Sequence, residues 1–263
     1  MMDLGYVIAG FGVGTVVGLT GVGGGSLMTP LLIFFFGVKP YLAVGTDLLF
    51  AAFTKLGGTI AFARQGVVPW RVVGLLSAGS IPAALTTLAV LHHIGPANAA
   101  LQGVMTTTLG VALLLTASAM AYKAVRGKQL PRHLAATDEA RASQPRHWSL
   151  PLLLGAVIGT LVTLTSVGAG AIGVSVLLLL YPLLPLPRIV AADIAYAVPL
   201  TLVAGLGHAS LGSVDWSLLA QLLTGSLPGI WVGARLTHHT PERLIRTLLS
   251  GLLAWAGTKL VLI

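Results

Sequence analysis

Hydrophobic residues occupy the chain in long runs that are separated by short polar, glycine-containing or proline-containing stretches. The runs are continuous rather than alternating, as in "VMTTTLGVALLLTASAMAY" at residues 104–122, so they predict helices and not the strands of a membrane barrel. We expect apolar segments at residues 5–19, 25–37, 42–63, 70–91, 97–122, 149–164, 170–184, 188–210, 215–235 and 241–262. The predicted fold class is therefore an all-α polytopic membrane protein.

Composition supports a chain that lies in lipid, because 56% of the residues are hydrophobic and only 8% are charged. The net charge of +8 could suggest a nucleic-acid partner, but the basic residues cluster in connecting loops, where orientation in the membrane explains them. The chain has no cysteine, which excludes disulfides and thiolate metal sites. We expect no nucleic acid, metal or cofactor, and no removable signal peptide, since no Lys or Arg precedes the first apolar run.

The two halves of the chain resemble each other in five ordered motifs at a nearly constant offset, which predicts an internal duplication. The first repeat is expected at residues 1–122 and the second at 148–263, with a basic loop at 123–147 between them. The matched motifs are "TGVGGGS" (20–26) with "TSVGAGA" (165–171), "GTDLLFA" (45–51) with "AADIAYA" (191–197), "QGVVPW" (65–70) with "LGSVDW" (211–216), "GSIPA" (79–83) with "GSLPG" (225–229), and the His pairs 92–93 and 238–239.

The basic loop at 123–147 is expected to be cytoplasmic by the positive-inside rule. Five membrane segments per repeat then place both termini outside, whereas a single crossing for each glycine-interrupted pair would move four arginines to the outer face. An odd number of segments per repeat gives two repeats of inverted topology, which is typical of secondary transporters. The same parity holds if the glycine-bounded segments are re-entrant hairpins. We expect a multi-pass membrane protein.

The apolar run from Tyr6 to Val38 would be about 50 Å long as one helix, which exceeds a hydrocarbon core of about 30 Å. The glycine motif is the expected break, and unwound backbone at membrane depth is tolerated where it lines a cavity. Free amides and a helix N-terminus suit an oxyanion. The predicted substrate-binding residues are Thr20, Gly21, Gly23, Gly24, Gly25 and Ser26, with Thr165, Ser166, Gly168 and Gly170 in the second repeat. The alternative is that the glycines only permit close helix packing, which suits Gly10, Gly14 and Gly18 better.

Few ionisable residues fall inside apolar segments, where charge is costly and indicates a cavity or a partner. Lys55 is the best candidate for contact with an anion, although it could instead pair with a carboxylate; Thr46 is predicted to assist binding. Asp47 and Asp193 are equivalent in the two repeats, and either could cap a broken helix or carry a proton. His208 is either a histidine at the membrane interface or a proton-carrying group.

Enzymatic activity is not expected. No glutamate lies deep within an apolar segment, the chain has no His-Glu-x-x-His motif, and no base is placed beside Ser80 for a serine nucleophile.

The segments "TGVGGGSLMTPLLI", "AVGTDLLFAAFTKLGG", "SVGAGAIGV" and "AADIAYAVPLTLVAGLGH" resemble the TauE/SafE family, also called the sulfite exporter or TSUP family. The resemblance covers both repeats. It implies transport of sulfite, thiosulfate or an organosulfonate such as sulfoacetate, by a protein of the bacterial inner membrane. The second repeat departs from the first, with Ala191 and Ala192 in place of Gly45 and Thr46, so we expect an asymmetric site.

The function expected from the sequence is secondary transport of a small sulfur-containing anion by alternating access, with export favoured by an inside-negative potential. The alternatives are an anion channel, an importer of thiosulfate or an organosulfonate, and a structural subunit of a larger complex. The expected partners are the small anion and the lipid bilayer, and a homodimer is left open.

Overall fold

The structure is a computed structural model that describes residues 4–20, 25–126, 148–182, 184–236 and 242–262. The described part of the chain is all-helical, as predicted. Its ten helices are α1 (Leu4–Thr20), α2 (Gly25–Phe36), α3 (Pro40–Arg64), α4 (Trp70–Ile94), α5 (Ala99–Arg126), α6 (Ser149–Thr165), α7 (Ala171–Leu180), α8 (Leu186–Ser210), α9 (Trp216–Leu236) and α10 (Glu242–Val261).

Helix ends follow local backbone chemistry. Pro40 lies in the first turn of α3, where its missing N–H leaves no helical hydrogen bond unmade. Gly66 and Gly212 follow the C-terminal ends of α3 and α8, each with a φ of 68° that favours glycine. These two glycines occupy equivalent positions in the matched motifs.

Membrane-spanning character is clearest in three described helices, at Trp70–Ile94, Ala99–Tyr122 and Leu186–Ser210, which are long and apolar enough to cross a bilayer. Shorter apolar helices lie at Leu4–Leu19, Ser26–Phe36, Ser149–Thr165 and Thr247–Val261. Trp70 and Trp216 begin α4 and α9 and are exposed, as expected of aromatic residues near a membrane interface.

Helices α3 and α8 form the centre of the protein and pack against each other. Every residue from Ala43 to Ala52 of α3 and from Ala191 to Ala197 of α8 is buried. Around this pair, α1 packs against α9, α4 against α6, and α5 against α10. Helix α1 is the first helix of the first half and α6 is the first helix of the second half, and α4 and α9 are likewise the fourth helices of the two halves. The contact of α1 with α9 therefore corresponds to the contact of α6 with α4.

Glycines allow the peripheral helices to approach each other closely. A Cβ atom on Gly10 would collide with the backbone of Leu222 in α9, and one on Gly155 would collide with the backbone of Leu76 in α4. The second turn repeats the pattern, since Gly14 faces Ser226 and Gly159 faces Ser80. The packing role predicted for Gly10 and Gly14 is therefore confirmed.

Candidate functional site

The break between α6 and α7 lies inside the protein and has a non-helical backbone. Ser166 adopts the left-handed conformation at a φ of 59°, while Gly168 and Gly170 have φ angles of 139° and 135°. The first turn of α7 then forms around the break, with the Gly173 amide donating to the Gly168 carbonyl at 2.9 Å. Both glycines are needed for this path because residues with a Cβ rarely adopt such angles.

The break exposes main-chain donors to its immediate surroundings. Within the described ranges, no residue accepts a hydrogen bond from the amides of Gly168, Ala169 or Gly170. These amides precede α7, so they lie at the positive end of its helix dipole. The arrangement offers the donors that an oxyanion requires.

Lys55 reaches this break from α3. Its Nζ atom donates a hydrogen bond to the Ala169 carbonyl oxygen at 3.1 Å, and the side chain is only 6% exposed. The ammonium group also interacts electrostatically with the carboxylates of Asp193 and Asp47. Lys55 therefore connects the central helix of the first half to the broken turn of the second half.

Asp47 belongs to α3, like Lys55, and its carboxyl group lies beside the first turns of α2. The Thr29 hydroxyl donates to Oδ2 of Asp47, and the main-chain amide of Thr29 also faces this carboxyl group. Ser166, at the break, has its side chain directed toward the same carboxyl group. Neither Oδ1 of Asp47 nor Oγ of Ser166 has a hydrogen-bond partner among the described residues.

Asp193 contacts α7 much as Asp47 contacts α2. A Cβ atom on Gly173, in the first turn of α7, would collide with Oδ1 of Asp193 and approach the hydroxyl of Tyr196 to 3.2 Å. Asp193 is 2% exposed and Tyr196 is fully buried. Each carboxylate therefore lies beside the N-terminal turn of a short helix, which is the arrangement that a capping role requires.

His208 is fully buried in the protein. Its Nε2 atom lies 2.9 Å from the Thr163 carbonyl oxygen, which joins α8 to α6. The two interpretations made from the sequence, a histidine at the membrane interface and a proton-carrying group, both stay predictions.

The structure brings some predicted residues together and places others apart. Lys55, Asp47, Asp193, Ser166, Gly168 and Gly170 surround the break, and Ser26 is buried in the first turn of α2. The Thr46 hydroxyl instead accepts a hydrogen bond from the Asp215 amide at 3.0 Å. The Thr165 hydroxyl is engaged within its own turn, where it accepts from the Val167 amide at 3.1 Å.

The first-half motif is described only at its edges. Thr20 ends α1 and Gly25 begins α2, while Gly21, Gly23 and Gly24 lie outside the described residues, as do residues 127–147 of the basic loop and His238 and His239.

Four contributors to the site were not predicted from the sequence: Thr29, the Ala169 carbonyl, Gly173 and Tyr196. Tyr196 follows Asp193 by three positions and therefore shares its helix face, which was a readable signal. Thr29 lies near the start of α2, but its pairing with Asp47 depends on how two helices pack.

The described residues form an all-helical apolar fold with a broken helix and buried ionisable side chains, which is the arrangement expected of a membrane transport protein. The family model for "Sulfite exporter TauE/SafE" matches residues 6–260, and the chain belongs to this family.

Curated relatives agree with this assignment. The chain is 35% identical over 269 residues to the "Probable membrane transporter protein YjnA" of Bacillus subtilis, covering 99% of this chain and all of the relative. It is 27% identical to YunE and 25% identical to YdhB, two further probable membrane transporter proteins of that organism, covering 97% and 92% of this chain and 96% and 93% of those relatives. No solved structure is a significant match to the chain. The protein is therefore a membrane transporter.

Proposed function

We propose that the protein is a secondary transporter that exports a small sulfur-containing oxyanion, such as sulfite or an organosulfonate, across the bacterial inner membrane. The observation that carries this proposal is the position of Lys55, a buried amine beside the amides of the α6–α7 break, which have no acceptor in the part of the chain that the structure describes. A cation and free main-chain amides together recognise anionic oxygens. The sulfur chemistry is suggested by the description of the family and not by the geometry.

Alternating access would arise from two repeats of inverted topology, each with five membrane segments. The support is the equivalence of contacts between the halves, because Gly10 faces Leu222 as Gly155 faces Leu76. The two glycines are 145 positions apart in the sequence (155 − 10), and the two leucines that they face are 146 positions apart (222 − 76). Repeats that pack in this reciprocal way can exchange conformations, which is how inverted-repeat transporters open to either side.

The buried state of the site favours a transporter over a channel. Asp47, Lys55 and Ser166 are each less than a tenth exposed, so the site has no open path to solvent through these side chains. A carrier passes through such closed states, whereas a conducting channel needs a continuous pore.

The test is counterflow into proteoliposomes that contain only this protein, with the membrane potential clamped at zero. Vesicles preloaded with unlabelled sulfite should transiently accumulate radiolabelled sulfite above its external concentration. Labelled flux without transient accumulation would favour a channel. No flux of sulfite, thiosulfate or sulfoacetate would reject the proposal and leave the role of a structural subunit.

A further inference from the structure

The charges around the α6–α7 break do not balance for a simple anion site. Asp47 is fully buried and Asp193 is 2% exposed, and both carboxylates interact with the single ammonium group of Lys55. An incoming anion therefore meets one amine, which attracts it when protonated, and two carboxyl groups, which repel it when ionised. Coulomb interactions of this kind are strong where water is excluded.

Asp47 also retains a capacity to accept hydrogen bonds. Its Oδ2 atom accepts from the Thr29 hydroxyl, but Oδ1 has no partner in the described ranges of the chain. The nearby Oγ atom of Ser166 is likewise unpartnered, and Ser166 is only 4% exposed. Buried polar atoms in native proteins normally have partners. The Ser166 side chain is directed toward the Asp47 carboxyl group without forming a hydrogen bond to it, so a donor group of a ligand could be held between Oδ1 of Asp47 and Oγ of Ser166.

We propose that Asp47 accepts a hydrogen bond from the transported anion, so that the site selects a monoanion carrying a donor group over a fully deprotonated dianion. This inference rests on the proposed function and narrows its substrate class. Hydrogen sulfite and hydroxylated sulfonates have the required donor, whereas sulfate and fully deprotonated sulfite do not.

The two ends of such a ligand would meet different groups. Its negatively charged oxygens would accept from Lys55 and from the amides of Gly168 to Gly170, which have no acceptor among the described residues. Its donor would point to Oδ1 of Asp47, on the side of the break where Ser166 lies. A buried acceptor that is left without a partner costs free energy, and Oδ1 of Asp47 has none among the described residues, so Asp47 would favour the donor-bearing ligand.

A dianion is disfavoured for two reasons. It offers Asp47 no donor, and it brings two negative charges to a site that already holds two carboxylates and one cation.

The test compares ethanesulfonate with isethionate, which is the same monoanion with a terminal hydroxyl, by titration calorimetry on the purified full-length protein at one pH and ionic strength. Sulfite and sulfate are titrated as well. We expect isethionate to bind at least about tenfold more tightly than ethanesulfonate, and sulfate to bind most weakly. Asp47→Asn should reduce the isethionate preference to less than about threefold.

Asp193→Asn is the matched control because it removes the same charge near Lys55 without touching Oδ1 of Asp47. It should alter all affinities but preserve the isethionate preference. Equal binding of the two sulfonates to the native protein, or sulfate binding as tightly as isethionate, would overturn the inference while leaving the proposed function intact. Failure of every anion, sulfite included, would reject both. The comparison on the native protein stands even if Asp47→Asn does not fold.

Discussion

The hydroxyl of Thr29 in α2 donates a hydrogen bond to Oδ2 of Asp47 in the buried centre of α3. This contact attaches the short helix after the first glycine motif to the central helix pair. It also supplies one of the few donors available to a carboxylate that solvent does not reach.

Thr29→Val should destabilise the protein by about 1–3 kcal/mol, because it removes the donor and leaves a buried carboxylate oxygen unpaired. The measurement is thermal unfolding of detergent-purified protein. Thr160→Val is a suitable control, since the hydroxyl of Thr160 is exposed and bonds only to Ala156 of its own helix. Equal stability of the two variants would show that the Thr29 contact contributes nothing.

Gly14→Ala should destabilise the protein by about 1–3 kcal/mol, because the added Cβ would collide with the backbone of Ser226. Gly12 in the same helix has open space at its Cβ position, so Gly12→Ala should be neutral or slightly stabilising. Gly159→Ala should resemble Gly14→Ala, since Gly159 meets Ser80 in the equivalent contact. The measurement is thermal unfolding of the three variants. If Gly14→Ala and Gly159→Ala were as stable as Gly12→Ala, the close packing at these two glycines would be contradicted.

Lys55→Met should destabilise the protein by about 3 kcal/mol, because it leaves Asp47 and Asp193 buried without their shared cation. Adding Asp193→Asn should recover at least about 1 kcal/mol, since one of the two uncompensated charges is then removed. The double-mutant cycle is measured by chemical denaturation in detergent. Additive effects of the two substitutions would argue that Lys55 and Asp193 do not interact.

Cysteine labelling tests the membrane topology without background, because the chain has no native cysteine. Gln65 follows α3 and Ala97 precedes α5, and both are exposed. The proposed inverted repeat places Gln65→Cys inside and Ala97→Cys outside, so an impermeant maleimide added to whole cells should label only the latter. Labelling of both positions from outside, or of Gln65→Cys alone, would refute the topology.

The sequence predicted the helices well because their boundaries depend on local signals. Apolar runs, glycines and prolines mark the ends, and the expected segment at 188–210 corresponds to α8 at Leu186–Ser210. Lys55 and the two aspartates were also recognisable, since charge within an apolar run is costly and therefore conspicuous.

Partner choice could not be predicted from the sequence. Thr46 was expected near the anion, but its hydroxyl is engaged by the Asp215 amide. The Ala169 carbonyl that receives Lys55 has no side-chain signal at all. Both contacts join residues more than a hundred positions apart, and their geometry arises from the packing of α3 against the second half.

The central claim is that Lys55 and the adjacent break bind the transported anion, and calorimetric titration of sulfite into Lys55→Met tests it most directly. Lys39→Ala serves as the control, because Lys39 is exposed in the loop between α2 and α3. We predict that Lys55→Met, shown by gel filtration to be folded, binds sulfite at least about tenfold more weakly than the native protein, while Lys39→Ala binds it normally. Unchanged sulfite affinity in folded Lys55→Met would contradict the account.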